Sequence, residues 1–266
     1  MLAKLKVLLP GLLEPVRNLA RAYAPVRRAL GQAISNGLDL IFPPFCQGCA
    51  LEGSYLCLSC QNAIRSPIHR CPQCGKNSPL GQVHSECRDS KTALTGLMVA
   101  AEYSEPAVRN LIWQLKYNSV REISKTMGLI MTDFMVKNDL ADYFAQSIVI
   151  PVPTHKKRLR FRGFNQSEEI AKHFAANMGL AYCEALVKAK STARQVDLER
   201  QDRIENLRGA FALDNKVLNT LNITLNTKKI ILIDDVATTG ATLNECARAV
   251  RKAEPSEIWG LVAARN

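Results

Sequence analysis

The sequence contains no run of 18 consecutive apolar residues, so no stretch of it is long enough to span a membrane as a helix. It has no Gly-Lys-Ser/Thr step, which excludes a Walker A loop, and no Gly-x-Gly-x-x-Gly, which excludes a dinucleotide-binding fingerprint. The N-terminus is basic and apolar, but Pro10, Gly11 and Glu14 interrupt it and no clear cleavage site follows. We therefore expect neither a transmembrane segment nor a signal peptide.

Disulfide bonds are not expected either. The nine cysteines are an odd number, and seven of them fall in Cys-x-x-Cys-like groups. Such groups indicate metal binding in a reducing compartment rather than disulfide formation. The sequence therefore predicts a cytoplasmic protein.

Positive charge is in excess. The net charge of +11 suits a polyanionic ligand such as a phosphate, a nucleic acid or an anionic surface, although a basic protein without such a ligand would have the same composition. The chain has 266 residues, of which 47% are apolar. That length can hold one complete α/β domain and smaller pieces beside it.

The most informative stretch runs from residue 230 to residue 242, where a buried strand, two carboxylates and a hydroxyl-rich loop follow one another. The backbone N–H groups of the loop and of the helix that begins at Leu243 favour a phosphate. Gly240 lets the backbone approach the ligand or adopt positive φ. Asp234 and Asp235 would repel a phosphate but can hold two vicinal hydroxyls, directly or through Mg²⁺. A simple capped helix explains one acid and one threonine, whereas a ribose 5-phosphate explains both acids and all three threonines, Thr238, Thr239 and Thr242.

A first pair of Cys-x-x-Cys knuckles supplies four thiolates, which satisfy tetrahedral Zn²⁺ and leave no open position. A closed site of this kind is structural, whereas a catalytic zinc would need an open position and a neighbouring general base. These four residues are Cys46, Cys49, Cys57 and Cys60.

A second set consists of three cysteines and a histidine. His84 stands where a fourth cysteine could stand, which gives a Cys₃His site; the alternative is an exposed loop histidine beside an incomplete site. His69 lies outside the pattern, and the sequence does not determine which knuckles share an ion. The predicted ligands of this set are Cys71, Cys74, His84 and Cys87.

From residue 94 onward the pattern is that of an α/β domain. Strands are predicted at 94–103, 147–153 and 258–264, and helices from Pro106 to Tyr117 and over residues 123–136. A basic turn, residues 155–162, follows the second strand and leads into a helix near Ser167. A charge run is usually a solvated face, but one placed at a strand end lies where α/β sheets bind ligands. Lys116 could reach an anionic ligand or could complement its own helix dipole.

The diacid and threonine-rich loop resemble the motif of type I phosphoribosyltransferases that binds phosphoribosyl pyrophosphate (PRPP). The resemblance implies that Asp234 and Asp235 are the catalytic pair, which contacts the ribose hydroxyls. It implies a 5-phosphate site formed by Ala237, Thr238, Thr239, Gly240, Ala241 and Thr242. It further implies a pyrophosphate site after the preceding strand, at Thr154, His155, Lys156, Lys157, Arg158, Arg160 and Arg162.

Pro-Val-Pro, the basic run and Arg-Gly-Phe-Asn-Gln, together with the cysteine knuckles, resemble the ComF/GntX family of competence-associated phosphoribosyltransferase-like proteins. The resemblance covers residues 41–266 and implies an N-terminal zinc ribbon, in which His84 departs from the usual all-cysteine set. It also implies a flap over the site, in which Ala193 replaces the usual proline. The flap residues expected to contact phosphate are Lys190, Arg194, Gln195, Arg203 and Asn206.

We therefore predict an α/β fold, a type I phosphoribosyltransferase-like parallel sheet flanked by helices, preceded by a small double zinc-ribbon-like segment and a helical N-terminal extension. The predicted divisions are a basic helical extension at 1–40, a zinc-ribbon domain at 41–90 and the phosphoribosyltransferase-like domain at 91–266. The extension carries six basic and two acidic residues. It is either a solvated segment or one that touches a membrane or nucleic acid.

Two functions remain open. The first is an enzyme that transfers phosphoribose from PRPP to an unidentified acceptor, with structural Zn²⁺, with Mg²⁺ bound alongside PRPP, and with a role in DNA uptake and natural transformation. The second is a non-catalytic competence factor that senses PRPP or binds single-stranded DNA and competence-machinery proteins. Tyr55 is the only aromatic residue between Cys46 and Cys87, which argues against base stacking by the knuckles themselves.

Overall fold

The computed structural model of the protein describes residues 43–88, 92–189 and 207–265. The predicted helical extension at 1–40 lies outside these ranges. The predicted flap residues lie outside them as well, namely Lys190, Arg194, Gln195, Arg203 and Asn206.

The described strands form a five-stranded parallel sheet and a separate two-stranded antiparallel sheet. The parallel sheet has the spatial order β1-β7-β6-β2-β3, and β4 pairs with β5. This architecture confirms the predicted α/β fold with a parallel sheet. The strand bounds are β1 Gly96–Glu102, β2 Ile148–Pro151, β3 Ala181–Tyr182, β4 Leu186–Lys188, β5 Phe211–Leu213, β6 Lys229–Ala237 and β7 Glu257–Arg265.

The helices confirm two predictions and correct a third. The predicted helices that begin at Pro106 and Ile123 are present. Residues 155–162, predicted as a turn, instead contain a helix, because Lys, Arg and Leu are good helix formers and no proline or glycine interrupts them before Gly163. The helix bounds are α1 Leu58–Asn62, α2 Pro106–Tyr117, α3 Ile123–Lys137, α4 Lys156–Arg162, α5 Gln166–Met178, α6 Asn215–Leu221 and α7 Ala241–Arg251, with short 3₁₀ turns at Pro79–Gly81 and Ser85–Cys87.

The parallel sheet is buried on both faces, which is why its strands are continuous apolar runs rather than alternating ones. Successive residues of a strand point to opposite faces, so Ile231 and Ile233 pack with α2, α3 and α5, whereas Ile230 and Leu232 pack with α7 and the β4–β5 sheet. Cys183 and Cys246, predicted to be small buried hydrophobes, are both fully buried in the second of these cores.

The cysteine-rich segment packs directly against the parallel-sheet domain. Cys46 and Leu56 belong to the same apolar cluster as Met98 of β1 and the core-facing residues of α2 and α3. The Gln61 side-chain amide donates to a carboxylate oxygen of Asp133 on α3 at 2.6 Å. The segment is therefore held by both apolar burial and a partly buried hydrogen bond.

Within the described ranges, every helix is too short or too polar to cross a lipid bilayer.

Candidate functional site

The candidate site lies where the parallel strands end, which is the edge at which open α/β sheets bind ligands. β2 and β6 are neighbours, with Pro151 opposite Ile233, and the Val152 N–H donates to the Ile233 carbonyl at 2.9 Å. The chain that follows β2 therefore emerges beside the two acids that follow Ile233. This pairing brings the predicted pyrophosphate segment and the predicted diacid to one edge of the sheet.

The diacid belongs to the strand itself. The sequence predicts that the strand ends before Asp234, but β6 continues to Ala237, with Asp234 opposite Val262 and Ala237 opposite Arg265 of β7. Pairing with the nine-residue strand β7 explains the longer strand, because the neighbour satisfies the backbone groups of the acids. Both carboxylates are consequently fixed by the sheet rather than carried by a loop.

Asp234 is the half-buried member of the pair, and Asp235 is buried. Its Oδ1 accepts a hydrogen bond from the Ser167 hydroxyl at 2.7 Å and another from the Asp235 N–H at 3.0 Å. Burial, and after it the charge of Asp235, raises the pKa of Asp234 to about 7, although Ser167 and Lys116 oppose the rise. A bound cation or hydroxyl donors would offset this unfavourable confinement of negative charge.

Asp235 has a cationic partner from a different part of the chain. Its Oδ2 lies 3.2 Å from the Lys116 ammonium, and its Oδ1 accepts from the Val236 N–H at 2.6 Å. Lys116 is in the last turn of α2, which delivers it to the sheet edge because Leu115 and Leu111 are buried on the core side of that helix. The ammonium of Lys116 thus contacts the diacid, a partner that neither of the two sequence alternatives for this lysine named.

The predicted 5-phosphate segment spans the end of β6, a three-residue bend and the first turn of α7. Helix α7 begins at Ala241, two residues earlier than predicted, and Gly240 is its N-cap with φ +76°. The Thr239 hydroxyl accepts from the Ala241 N–H at 3.3 Å. Thr238 is exposed, and Thr239 and Thr242 are half-buried, so the bend is open to solvent at the N-terminus of an 11-residue helix.

The predicted pyrophosphate segment lies on and just before α4. Arg158 and Arg160 are exposed, and Thr154 and His155 are half-buried. Arg162 is half-buried and lies near the diacid. Burial lowers its pKa, and the nearby charge of Asp235 opposes that change. Its guanidinium donates to the Gln166 side-chain oxygen at 3.1 Å. Lys156 and Lys157 lie in the first turn of the same helix.

The first cysteine cluster has the dimensions of a tetrahedral metal site. The sulfur atoms of Cys46, Cys49, Cys57 and Cys60 all lie within 4.8 Å of one another, and those of Cys49 and Cys57 are 3.6 Å apart. Tetrahedral Zn–S bonds of about 2.3 Å place sulfurs about 3.8 Å apart, so the fit is close. Although burial opposes it, N–H groups of Cys57, Cys49 and Gly48 lower the pKa of Cys46 to about 6, which favours the thiolate that a metal requires.

The second cluster brings Cys71, Cys74, His84 and Cys87 together with the same compactness. The His84 Nδ1 lies 3.4 Å from the Cys74 sulfur, and its Nε2 faces the Asn77 carbonyl at 3.2 Å. A metal-bound histidine commonly donates its second ring N–H to a backbone carbonyl, so this ring has the arrangement of an Nδ1 ligand. The two predicted ligand sets therefore come together as two separate clusters, each of which could bind zinc.

Several residues near the diacid escaped the sequence-based prediction of the site. Gln166 was noted only as part of the Arg-Gly-Phe-Asn-Gln motif and Ser167 only as the start of the following helix, yet Ser167 donates to Asp234 and Gln166 accepts from Arg162. Lys188 is half-buried at the end of β4, where burial and, after it, the charge of Arg158 lower its pKa. The motif was the sequence signal for Gln166 and the helix start that for Ser167, whereas a single lysine in a short strand does not by itself indicate a site.

Comparison with known proteins identifies one domain match and several relatives. Residues 165–265 match the family model of the phosphoribosyl transferase domain. The chain is 27% identical over 235 residues to DNA utilization protein YhgH of Salmonella typhimurium, covering 84% of this chain and 98% of that protein. It is 28% identical over 219 residues to competence protein F of Haemophilus influenzae, covering 79% and 90%. It is 24% identical over 210 residues to competence protein ComFC of Bacillus subtilis, covering 73% and 77%.

The domain match includes the diacid, the threonine bend and Ser167, but it begins after α4. Lys116, the basic residues 155–162 and both cysteine clusters therefore lie before the matched domain, while the relatives align with most of the chain.

Proposed function

Because this chain is a relative of the ComF competence proteins and carries a phosphoribosyl transferase domain, we propose that it binds PRPP together with Mg²⁺ and transfers phosphoribose to an acceptor. The relatives are named competence proteins and DNA utilization proteins, which supports a role in DNA uptake and natural transformation, with competence-machinery proteins as partners. The division of the chain at residues 40 and 90 and a cytoplasmic location are parts of the same proposal.

One observation carries the proposal: two adjacent carboxylates are fixed at the end of β6, one bend away from the open N-terminus of α7. In this arrangement Asp234 and Asp235 hold the ribose hydroxyls, and residues 237–242 bind the 5-phosphate through backbone N–H groups and threonine hydroxyls. The distance along the chain is short enough that one ribose 5-phosphate would contact both. No single phosphate or sugar alone would use both halves.

The cations around the diacid fit the remaining part of the ligand. Arg162 lies within electrostatic reach of Asp235, and Arg158 within reach of Lys188. We assign the pyrophosphate to these residues and to the rest of the segment from Thr154 to Arg162, and the covering flap to Lys190, Arg194, Gln195, Arg203 and Asn206. Adjacent carboxylates also suit Mg²⁺, which proteins usually hold by one or two carboxylates together with substrate phosphates.

In the proposed reaction the bond between the ribose anomeric carbon and pyrophosphate breaks, and the acceptor's nucleophilic atom forms a bond to the same carbon. The ring passes through an oxocarbenium-like state, so positioning contributes more than activation of the nucleophile. Asp234 and Asp235 fix the ring, and Arg158 and Arg162 receive the departing pyrophosphate. When bound, Mg²⁺ neutralises charge on that leaving group.

The test is a calorimetric titration of the protein with PRPP in the presence of Mg²⁺. The Asp234→Asn/Asp235→Asn double variant should bind roughly 100-fold more weakly or worse, because it loses two charge-assisted interactions worth about 1.5–3 kcal/mol each. Asp139→Asn/Asp142→Asn is the matched control, since it removes two exposed carboxylates elsewhere. Absence of PRPP binding by the unmodified protein, or equal affinities of the two double variants, would remove the proposal.

We also propose that each cysteine cluster holds one structural Zn²⁺. Four protein ligands leave no open position, so neither ion would take part in the transfer reaction. Zinc-bound thiolates are stable in a reducing compartment, which supports the cytoplasmic location.

A second candidate function is single-stranded DNA binding, alone or with PRPP as a regulatory ligand. An exposed stripe on α2 favours it: Arg109, Trp113 and Tyr117 are spaced by four residues, and the two aromatic side chains are 51% and 64% exposed. Their ring centroids are 5.8 Å apart. Exposed aromatic rings beside positive charge are the usual platform for unpaired bases, and α2 supplies what the cysteine knuckles lack.

Trp113 is also the reporter for this candidate, because the other tryptophan, Trp259, is buried. Oligothymidylate should quench the fluorescence of Trp113 in the unmodified protein. Measured by the fluorescence anisotropy of a labelled oligothymidylate, Trp113→Ala/Tyr117→Ala should weaken binding by roughly tenfold or more, since stacking contributes about 1–3 kcal/mol per base. Trp113→Phe/Tyr117→Phe should retain most of the affinity, and Val136→Ala, an exposed apolar control, all of it. Equal binding by the alanine variant would exclude this surface.

A further inference from the structure

The Lys116–Asp235 ion pair occupies the position that the proposed ligand needs. The ammonium lies 3.2 Å from Asp235 Oδ2, and the two side chains are 23% and 12% exposed. Asp235 Oδ1 is engaged by the Val236 N–H at 2.6 Å, so Oδ2 is the oxygen that faces away from its own backbone. Any cation or hydroxyl that binds this oxygen must share it with Lys116 or displace it.

The Lys116 ammonium is linked through Asp235 to Arg162, one of the residues assigned to the pyrophosphate. Lys116 also acts electrostatically on Asp234, and Asp235 in turn acts on Arg162, so one lysine, two acids and one arginine form a continuous cluster. Lysine carries its charge on a flexible stem with three rotatable donors, so it can exchange one partner for another without moving its helix. The neighbouring Leu115 is fully buried and fixes the backbone of α2, so only the Lys116 side chain needs to move.

We propose that Lys116 is a displaceable counter-ion of the diacid. It pairs with Asp235 when the site holds no ligand, and it moves to phosphate oxygens of PRPP when the ribose hydroxyls and Mg²⁺ take over the carboxylates. The inference rests on the proposed PRPP binding. It makes Lys116 a ligand-binding residue that lies outside the matched domain and that exchanges one ion pair for another during binding.

The exchange has a consequence for the order of binding. A divalent cation that arrives alone must expel the ammonium into water with no phosphate to receive it. A cation that arrives with PRPP brings the phosphate oxygens with it. Lys116 therefore disfavours the bare metal ion and favours the metal–PRPP complex, so its removal should change the two affinities in opposite directions.

The experiment uses zinc-saturated protein and two titrations of Lys116→Gln. Mn²⁺ alone, followed by the loss of its free electron paramagnetic resonance signal, should bind several-fold more tightly than to the unmodified protein. PRPP with Mg²⁺, followed by calorimetry, should bind roughly tenfold more weakly because one charge-assisted contact is lost. Lys116→Arg should keep the unmodified behaviour in both, because it retains the charge.

Lys137→Gln is the matched control, since Lys137 is also in the last turn of a helix and is 3.8 Å from Asp133. It should leave both affinities unchanged. An ion pair that only stabilises the fold would leave both affinities of Lys116→Gln unchanged or lower both, and either result would overturn the inference. If the unmodified protein does not bind PRPP, the proposed function is overturned instead. The Mn²⁺ titration would still decide whether Lys116 competes with a cation for the diacid.

Discussion

Two histidines lie near the second cysteine cluster, and their ring contacts give them different roles. His84 directs Nδ1 at Cys74 and Nε2 at the Asn77 carbonyl, whereas the Nε2 of His69 faces the Val99 carbonyl of β1. Burial lowers the pKa of His69, and its ring packs on Phe134 with centroids 5.3 Å apart. His69 therefore belongs to the contact between the cysteine-rich segment and the core, and His84 to the cluster that could bind zinc.

We expect His84→Ala to reduce bound zinc from two ions to one per chain, because three thiolates leave one position of the tetrahedron open. His84→Cys should retain two ions, since a thiolate can replace the imidazole. Elemental analysis of the purified proteins measures the stoichiometry. His69→Gln is the control and should keep two ions. Two retained ions in His84→Ala would show that His84 is not a ligand.

Gly240 is required by the shape of the bend. Its φ of +76° is strained for any residue with a Cβ, and an added Cβ would lie 3.3 Å from the Leu97 side chain. Gly240→Ala should lower the free energy of unfolding by about 1–2 kcal/mol and weaken PRPP binding, because the bend that presents its N–H groups would change.

Gly179 provides the comparison for that prediction. It has a φ of +65° at the end of α5, and its Cβ position is open. Gly179→Ala should cost a similar free energy of unfolding, measured in urea, without changing the affinity for PRPP. Equal effects of the two substitutions on that affinity would show that the bend does not bind phosphate.

At the scale of elements, the sequence predicts correctly those features that depend on residues close together in the chain. The apolar runs of β1, β2 and β7, the buried face of α2 and the cysteine spacing are local, and all appear in the structure. The full length of β6 was missed because pairing with β7 extends it through charged residues. The contacts of Lys116 and Ser167 with the diacid were missed because the contacting residues lie far apart in sequence.

Protein stability should depend on pH through His173, which lies where α5 packs against α3. The His173 Cβ lies in the space that a side chain on Gly128 of α3 would need, so the two helices are in close contact at this point. Burial lowers the pKa of His173, although Glu169 opposes the shift; Lys125 and Arg121 add to it. The native state therefore resists protonation that the unfolded chain accepts.

Stability should thus fall as the pH decreases through 6.5, the ordinary histidine pKa, because the unfolded state binds the proton there and the folded state does not. His173→Gln should remove this part of the pH dependence and leave the stability near pH 8 little changed. Urea unfolding between pH 8 and pH 5.5 at constant zinc measures it. An unaltered slope of stability against pH in the variant would contradict the prediction.

At the scale of the whole molecule, α2 joins the first cysteine cluster to the diacid. A Cβ on Gly48 would lie 2.7 Å from the Cys60 sulfur and 3.6 Å from the Ala107 side chain, so the first turn of α2 lies against that cluster. The last turn carries Lys116, about 15 Å further along the helix. The second cluster contacts a different region, because its segment pairs with the start of β1 through Gln82 and Gly96.

Loss of zinc from the first cluster should therefore disturb the position of Lys116 at the diacid and weaken PRPP binding. Loss of zinc from the second cluster should not. Cys49→Ser removes an exposed ligand of the first cluster, and we expect it to lower the affinity for PRPP several-fold by loosening the seat of α2. His84→Ala removes one ligand of the second cluster and should leave that affinity nearly unchanged while costing comparable stability. Calorimetric titration of both variants, with zinc content and unfolding midpoint measured on the same samples, separates the two effects. Equal losses of affinity would mean that the zinc sites support the fold as a whole, and that α2 transmits nothing in particular.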